Sequence, residues 1–242
     1  MIERKQEFLQ MKILQDAGTH KILAIMAGLD GESPLQLIEV AGRTAYRSKH
    51  KITQESATAF VEMLRDRGHE SVLEHSCMSV QFNNISRGFT HELVRHRLVA
   101  YTQESTRYVD ESDFNVVIPP NRDANETLMN LCLPDGRIIN LSFAEWMKLN
   151  EQAYRELRKV GWPPQDARQV LPTAINAPIV MTCNFREWRH VFKLRCDKTA
   201  HWEIRRVMVN LLRDVQQRIP VIFDDFQINE HDTATLIPHK PN

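Results

Sequence analysis

The chain has 242 residues, 42% of them hydrophobic, and carries 31 Lys plus Arg against 31 Asp plus Glu. That length and composition are enough to bury a sizeable core and suit a single domain over residues 1–242. A formal net charge of zero excludes a global field that would draw the protein to nucleic acid or to a membrane surface, so any anion site has to be local.

The N-terminal segment, the apolar runs and the cysteines bear on the cellular location. The start, MIERKQEFLQ, is charged and lacks the apolar core of a signal peptide. The longest apolar runs fall far short of the roughly 18 to 20 residues that a membrane span requires. We therefore expect no membrane contact. The four cysteines, Cys77, Cys132, Cys183 and Cys196, are widely spaced and form no C-x-x-C pair, so we expect reduced thiols and a cytoplasmic protein.

The first elements form two apolar runs and a helix. Turn residues at Asp16 to Gly18 separate two β-prone runs, KIL and HKILAIM, and predict a β-hairpin. In the segment SPLQLIEVAGRTAY, Ser33 suits a helix N-cap and Pro34 suits the first helical position. A helix is therefore predicted to follow the hairpin.

Helical and strand patterns alternate through the middle of the chain. TQESATAFVEMLRDRG has helical spacing and ends at Gly68, and ISRGFTHELVRHR returns to that spacing. CMSVQF alternates like a strand, and FNVVIPP is a strand closed by prolines. The stretch from Asn121 to Asn140 contains a P-D-G turn and is interpreted as a variable excursion.

The last third is predicted to be mostly helical. FAEWMKLNEQAYRELRKVGW ends at Gly161, and HWEIRRVMVNLLRDVQQRI ends at Pro220. Between them, NAPIVMTCN is apolar and β-branched enough for a strand. Without internal repeats, low-complexity linkers or a G-x-G-x-x-G motif, the pattern predicts a single α+β domain with no Rossmann fingerprint.

The segment THELVRHRLVAYTQESTRY is the most cationic motif. Arginine offers a rigid fork of donors that matches phosphate, although a solvated basic helix end is the plainer alternative. On a continuing helix Arg95 and Arg97 would point about 200° apart, so either they serve different partners or the helix breaks here. His91 and His96 diverge by roughly 140° on a helix, which disfavours the H-E-x-x-H site of a zinc hydrolase without excluding it.

Two further clusters carry polar side chains. The spacing of His69 and His75 in GHESVLEH matches no standard metal site, so a capping and polar-network role is predicted. In LRCDKTAHWEIRR, Arg195 precedes a break between two predicted helices. An arginine at such a break can project into a cleft.

Several of these motifs together resemble one family. Arg95-His96-Arg97 followed by Ser105 matches R-H-R-x7-S, GHESVLEH resembles G-H-x-S-x-x-E-H, and LRCDKTAHWEIRR resembles L-R-C-x-x-A-Q-W-E-I-R. The chain resembles the flavin-dependent thymidylate synthases from about residue 11 to residue 225. The resemblance implies a central mixed or antiparallel sheet flanked by helices.

The resemblance also implies a reaction. Family members methylate dUMP to dTMP, with methylenetetrahydrofolate as one-carbon donor and NADPH-reduced FAD as hydride source. They use no cysteine nucleophile and no metal, and they form homotetramers with shared active sites. The alternative function is that of an arginine-rich protein that binds a nucleic acid polymer. The resemblance to an enzyme family argues against it.

Site residues follow position by position from the resemblance. Arg195 is expected to be catalytic, because a guanidinium against the uracil edge would stabilise negative charge on the ring. Expected flavin contacts are His69, Ser71, Arg95, His96, Arg97, Gln103, Asn184 and His190. Expected nucleotide contacts are Glu92, Gln103, Ser105, Thr106, Arg107, Arg168 and Arg195. The family pattern is broken at Ala45, Glu92 and His201, which leaves the contacts of Glu92 open.

Overall fold

A computed structural model of the chain describes residues 11–28, 33–126 and 128–237. Residues 1–10, on which the expected absence of a signal peptide rests, lie outside these ranges. The α-helices are Pro34–Ala45 (α1), Ser56–Asp66 (α2), Arg87–Leu93 (α3), Phe143–Lys159 (α4), Pro164–Ala167 (α5), Phe185–Arg195 (α6), Trp202–Arg218 (α7) and Pro220–Phe223 (α8). The strands are Ile13–Gln15 (β1), Thr19–Ile25 (β2), Cys77–Asn83 (β3), Ala100–Gln103 (β4), Val116–Ile118 (β5), Leu128–Cys132 (β6), Ile138–Ser142 (β7), Ile179–Asn184 (β8), Phe226–Ile228 (β9) and Ala234–Leu236 (β10).

The described residues divide into two compact units. Within the described ranges, the first unit takes residues from 11–18, 83–91 and 103–178, and the second unit from 19–82, 92–102 and 179–237. The prediction that residues 1–242 form a single domain stays a prediction.

The second unit is built on a four-stranded sheet in the order β2-β3-β8-β4. Strands β3 and β8 are antiparallel, and alternate side chains of β3 (Met78, Val80 and Phe82) are fully buried. Helix α6 contacts β8, and α7 contacts β2 and presents apolar residues at helical spacing to the core. The predicted α+β fold, with a sheet flanked by helices, is confirmed.

Polar side chains fix α6 within that core. The indole Nε1 of Trp188 donates to the carbonyl oxygen of Met78 at 3.0 Å. The Arg189 guanidinium forks onto both carboxylate oxygens of Asp225, at 2.7 and 2.6 Å. Both charged groups are buried and are joined by two hydrogen bonds. Loss of either partner would therefore leave the other charge buried without a counterion. The residues of α6 are therefore held in a defined orientation.

The first unit corrects one prediction. The two N-terminal strands form, but β1 pairs in parallel with β5, with Ile13 opposite Val116, whereas β2 belongs to the four-stranded sheet. The predicted hairpin is therefore wrong. Asp16, at φ +54°, turns the chain out of β1, and Ile13 packs against the core cluster that contains Val116 and Met147. An isolated two-stranded hairpin offers no such burial.

The predicted excursion from Asn121 to Asn140 contains most of a β-hairpin that the sequence patterns did not reveal. Strands β6 and β7 pair antiparallel, with Asn130 opposite Asn140. The P-D-G turn closes them, and Gly136 has the positive φ (+83°) that glycine tolerates best. Because Leu128 and Ile138 are exposed, the apolar pattern gave little sign of these strands.

The helix predictions are confirmed at most termini. Ser33 and Ser142 form capping boxes at the starts of α1 and α4, and Gly68 and Gly161 follow α2 and α4 with positive φ. Helix α3 is shorter than its pattern and ends at Leu93. No helix in the described ranges has both the length and the apolarity needed to cross a bilayer.

Candidate active site

The segment after α3 carries the arginine motif outside any helix. Tyr101, on β4, donates its hydroxyl hydrogen to the carbonyl oxygens of Leu93 and His96, at 2.6 and 3.2 Å. Because the last carbonyls of a helix lack partners within it, this hydroxyl caps the end of α3 and holds the following turn. His96 is buried, whereas Arg95 and Arg97 are exposed. Of the two alternatives, the break in the helix is confirmed.

Arg195 is the last residue of α6 and is held by three hydrogen bonds. Nη1 donates to Oε2 of Glu92 at 2.5 Å, and Nη2 donates to the Glu92 carbonyl oxygen at 2.8 Å. Nε donates to Nε2 of His96 at 2.9 Å. Charge-assisted bonds of this kind are short and directional, so the guanidinium has a fixed orientation. Glu92 departs from the family pattern, and its carboxylate has an arginine partner.

The same contacts settle the state of His96. Burial, followed by the charges of Arg195 and His190, lowers the pKa of His96 to about 4, so the ring is neutral at pH 7. Since Nε2 accepts from Arg195, the ring hydrogen sits on Nδ1, which lies 3.7 Å from Oε1 of Glu187. Metal-ligand atoms of His96, Glu187 and His190 lie within 4.8 Å of one another. A metal at Nδ1 would have to displace that hydrogen and break the bond to Arg195.

Two cavities of the second unit gather predicted flavin residues. A pocket of about 370 Å³ is lined by Arg95, His96, Arg97, His190 and Arg195. A cleft of about 870 Å³ is lined by Asn184 and His190, with charged residues of both signs around them. The side-chain oxygen of Asn184 also accepts from the Glu187 N–H at 2.9 Å and so caps α6. Arg195 lines the smaller pocket, in keeping with an arginine that projects into a cavity from a helix break.

His69 and Ser71 do not line either cavity, although Glu70 between them lines the larger one. His69 immediately precedes a 3₁₀ helix, Glu70–His75, and its Nδ1 is 3.2 Å from the hydroxyl of Tyr46. In that 3₁₀ helix the carboxylates bind arginines, Glu70 to Arg189 at 3.2 Å and Glu74 to Arg186 at 2.5 Å. The predicted polar network is confirmed, but the predicted capping role is wrong, because the His69 side chain makes no capping hydrogen bond to this 3₁₀ helix.

The first unit holds the remaining predicted nucleotide residues. Gln103 donates from Nε2 to the hydroxyl of Thr90 at 2.9 Å, and Arg168 donates from Nη1 to the hydroxyl of Thr106 at 3.2 Å. Oγ of Ser105 accepts from the backbone N–H of Arg107 at 3.3 Å. Thr106 is buried, whereas Arg107 and Arg168 are exposed.

Thr106 and Arg168 line a pocket of about 300 Å³ in the first unit together with Arg87, which sequence reasoning missed, and His91, which it considered only as a metal ligand. The latter two lie four residues apart on α3 and therefore share one helix face. That spacing was the available signal. Burial lowers the pKa of Arg87, with Arg168 adding to the effect and Glu111 opposing it, and the guanidinium is charged at neutral pH because arginine titrates so high.

Comparison with known proteins identifies the family. The family model described as "Thymidylate synthase complementing protein" matches residues 29–221. A flavin-dependent thymidylate synthase of Mycobacterium avium (strain 104) is 37% identical over 219 residues, covering 88% of this chain and 87% of the relative. Another, of Mycobacterium sp. (strain KMS), is 38% identical over 222 residues, with the same coverage of both chains. The chain belongs to the flavin-dependent thymidylate synthase family.

A solved structure shares the fold. The UMP/dUMP methylase PolB of Streptomyces cacaoi, crystallised with 5-Br dUMP, superposes with a TM-score of 0.67 at 21% identity. The match covers 88% of this chain and 96% of PolB. The expected fold of a flavin-dependent thymidylate synthase, α+β and without a Rossmann motif, is confirmed.

Proposed function

We propose that this enzyme converts dUMP to dTMP, with methylenetetrahydrofolate as the one-carbon donor and NADPH as the reductant of bound FAD. The observation that carries the proposal is the fixed guanidinium of Arg195 at the wall of the pocket that also contains the R-H-R segment. Family membership supplies the reaction, and the geometry supports the roles assigned below.

The second unit suits a flavin dinucleotide. Among the described residues no ion pair engages Arg95 or Arg97, so both guanidinium groups are available to a diphosphate. His96 is neutral and buried beside them, and the neighbouring cleft has a volume within the range of cofactor sites. The proposed flavin contacts are therefore Arg95, His96, Arg97, Asn184 and His190, with His69, Ser71 and Gln103 added by resemblance. When bound, FAD supplies the hydride.

Roles in nucleotide recognition are proposed for each unit by itself. Thr106 and Arg168 bind the phosphate, and Arg87 joins them because it lines the same pocket. Ser105 and Arg107 are assigned to the nucleotide by resemblance. Arg195 acts on the uracil, where its charge stabilises negative charge at O2 and N3 and makes C5 more nucleophilic. Glu92 orients Arg195, and this role accounts for a carboxylate in a nucleotide site.

Cysteine chemistry is not part of the proposed mechanism. Burial raises the pKa of Cys183 and Cys196 far above neutral, and it also raises the pKa of Cys77. A thiolate is the nucleophilic form of cysteine, so these thiols are poorly suited to attack. Cys132 is exposed on β6, in the hairpin outside the cavities described above. Activation of the base by Arg195 takes the place of a covalent bond.

The proposed assembly is a homotetramer with shared active sites. Exposed apolar side chains beside the proposed contacts, Leu98 and Tyr108, support burial in a larger assembly. The proposed location is the cytoplasm, because the free cysteines suit a reducing compartment. The proposed ligands are small molecules, and no nucleic acid polymer or membrane belongs to the set.

The proposal is tested by product formation. The purified protein, loaded with FAD, is incubated with NADPH, methylenetetrahydrofolate and dUMP, and dTMP is quantified by chromatography. We expect dTMP that depends on every component. A protein that retains FAD and oxidises NADPH yet forms no dTMP would contradict the proposed reaction, and salt-sensitive polynucleotide binding without flavin would favour the arginine-rich binding protein instead.

A further inference from the structure

Glu111 is a buried carboxyl group that the proposed mechanism does not use. It is only 7% exposed, and its Oε1 has no hydrogen-bond partner among the described residues. Its backbone N–H donates to the hydroxyl of the fully buried Tyr154 at 3.2 Å, which fixes the position of the residue. A carboxylate without a bonded partner is costly to bury, so burial favours the protonated, neutral form of the group.

The charges around Glu111 link it to the pocket of Arg87 and Arg168. The Arg87 guanidinium is the cation that opposes its protonation, whereas Glu104 and Asp110 are like charges that favour it. Asp110 is bound to Arg158 at 3.0 Å. Burial is the largest effect, and the pKa of Glu111 rises to about 7. The charge of Glu111 therefore changes near neutral pH while that of Arg87 stays fixed.

Phosphate binding has to disturb this balance. A phosphate dianion in the pocket that Arg87 and Arg168 line adds negative charge close to these guanidinium groups. The attraction that Arg87 exerts on the Glu111 carboxylate is then shared with the ligand. Because like charges nearby favour protonation of a carboxyl group, the occupied pocket favours neutral Glu111.

We propose that Glu111 is a positioning residue that takes up a proton when the nucleotide phosphate binds, and so leaves the full charge of Arg87 to the ligand. This inference rests on the proposed function, since it assigns the phosphate of dUMP to the pocket of Arg87. Neutral Glu111 strengthens binding. Affinity therefore falls as the pH rises through the pKa of Glu111, because an ionised carboxyl group competes with the phosphate.

The test is calorimetric titration of the FAD-loaded protein with dUMP, from about pH 7 to about pH 8.5, in buffers of different ionisation enthalpy. Throughout this range the phosphate monoester is mainly a dianion. If binding raises the pKa of Glu111 by about one unit, affinity falls about fourfold over the range, and about half a proton is taken up near pH 7.5. Glu111→Gln should bind with a flat pH profile and take up no proton.

A matched control addresses the histidine of the same pocket. His91 also lines it, and we expect His91→Asn to keep the pH slope of the wild type. A slope that survives in Glu111→Gln and disappears in His91→Asn would overturn the inference. Absence of proton uptake by the wild type would overturn it too, and that measurement decides the matter even if Glu111→Gln fails to fold.

Failure of the proposed function gives a different result. A protein that binds no dUMP at any pH contradicts that function, and the same titration is then made with sulfate, a dianion throughout this range. Proton uptake with sulfate that disappears in Glu111→Gln supports the link between Glu111 and the anion pocket. Sulfate binding without proton uptake, or no sulfate binding at all, overturns it.

Discussion

Arg195 and Glu92 lie 103 residues apart in sequence and form a bidentate contact, completed by the neutral ring of His96. Each partner fixes one edge of the guanidinium, which gives a cation of defined direction at a cavity wall. This arrangement is the residue-scale basis of the proposed activation of uracil. It also assigns the carboxylate at position 92 a role that the family pattern alone left open.

Removal of that cation should stop the reaction without emptying the flavin site. Arg195→Ala is expected to form no measurable dTMP while its flavin content stays within about twofold of the wild type, because its proposed partner is the base. The measurements are the dTMP assay and the absorbance of bound flavin. Arg137→Ala, in the exposed turn of the β6–β7 hairpin, serves as the matched control. Loss of FAD with dUMP binding intact would contradict the assignment of Arg195.

Arg97 is expected to behave in the opposite way. Its exposed guanidinium is assigned to a flavin phosphate, and a hydrogen bond to a charged group contributes about 1.5–3 kcal/mol, so Arg97→Ala should weaken FAD binding roughly 10- to 150-fold. The dissociation constant of FAD can be measured by flavin fluorescence. An affinity unchanged from that of Arg137→Ala would count against this contact.

The sequence predicts the residue scale unevenly. The R-H-R motif and the position of Arg195 before a helix break are readable, because they depend on local spacing. The pairing of Glu92 with Arg195 is not, since it depends on two elements that meet only in the fold. The shared helix face of Arg87 and His91 could also have been predicted from local spacing. Arg168, which lines the same pocket, could not, because it lies more than 70 residues away in sequence.

At the scale of elements, the end of α3 determines how the arginine motif is presented. The helix ends at Leu93, and Tyr101 reaches back from β4 to bind the carbonyl oxygens of Leu93 and His96. The buried ring of His96 and the exposed side chains of Arg95 and Arg97 follow from this turn. Tyr101, a strand residue, therefore positions the turn after Leu93, although the sequence pattern predicts that the helix continues there.

Loss of this hydroxyl should affect both stability and cofactor binding. Tyr101→Phe leaves partly buried carbonyl groups without a donor, so we expect the free energy of unfolding to fall by about 1–3 kcal/mol. FAD affinity should fall with it, because the turn is less ordered. Urea unfolding and FAD titration measure the two effects, and Tyr108→Phe, at an exposed ring, is the matched control. Equal behaviour of the two variants would show that Tyr101 does not hold the turn.

Elements with local signals were predicted well, and elements that depend on partners were not. Capping residues and following glycines set the bounds of α1, α2 and α4. Strand β1 was predicted as a strand but given the wrong partner, because β5 lies about 100 residues away in sequence and only the fold brings it near. Strands β6 and β7 escaped notice because their apolar side chains at the hairpin ends face solvent.

At the scale of the whole molecule, a chain with no net charge keeps its cations in local groups. One group, in the second unit, surrounds the R-H-R segment, and another, in the first unit, lines the pocket of Arg87 and Arg168. Local concentration of arginine suits phosphate-bearing ligands without attracting polymers through a global field. A net charge of zero is therefore compatible with a family whose ligands carry phosphate groups, because the arginines are concentrated at the pockets.

The proposed reaction joins reduced flavin, methylenetetrahydrofolate and dUMP on this protein. Its most direct test is an anaerobic single turnover in which NADPH first bleaches the flavin absorbance, excess NADPH is removed, and the two substrates are then added. We expect the oxidised flavin spectrum to return in step with about one dTMP per flavin, and not to return when either substrate is omitted. Flavin that stays reduced in the presence of both substrates, or that reoxidises without dTMP, would contradict it.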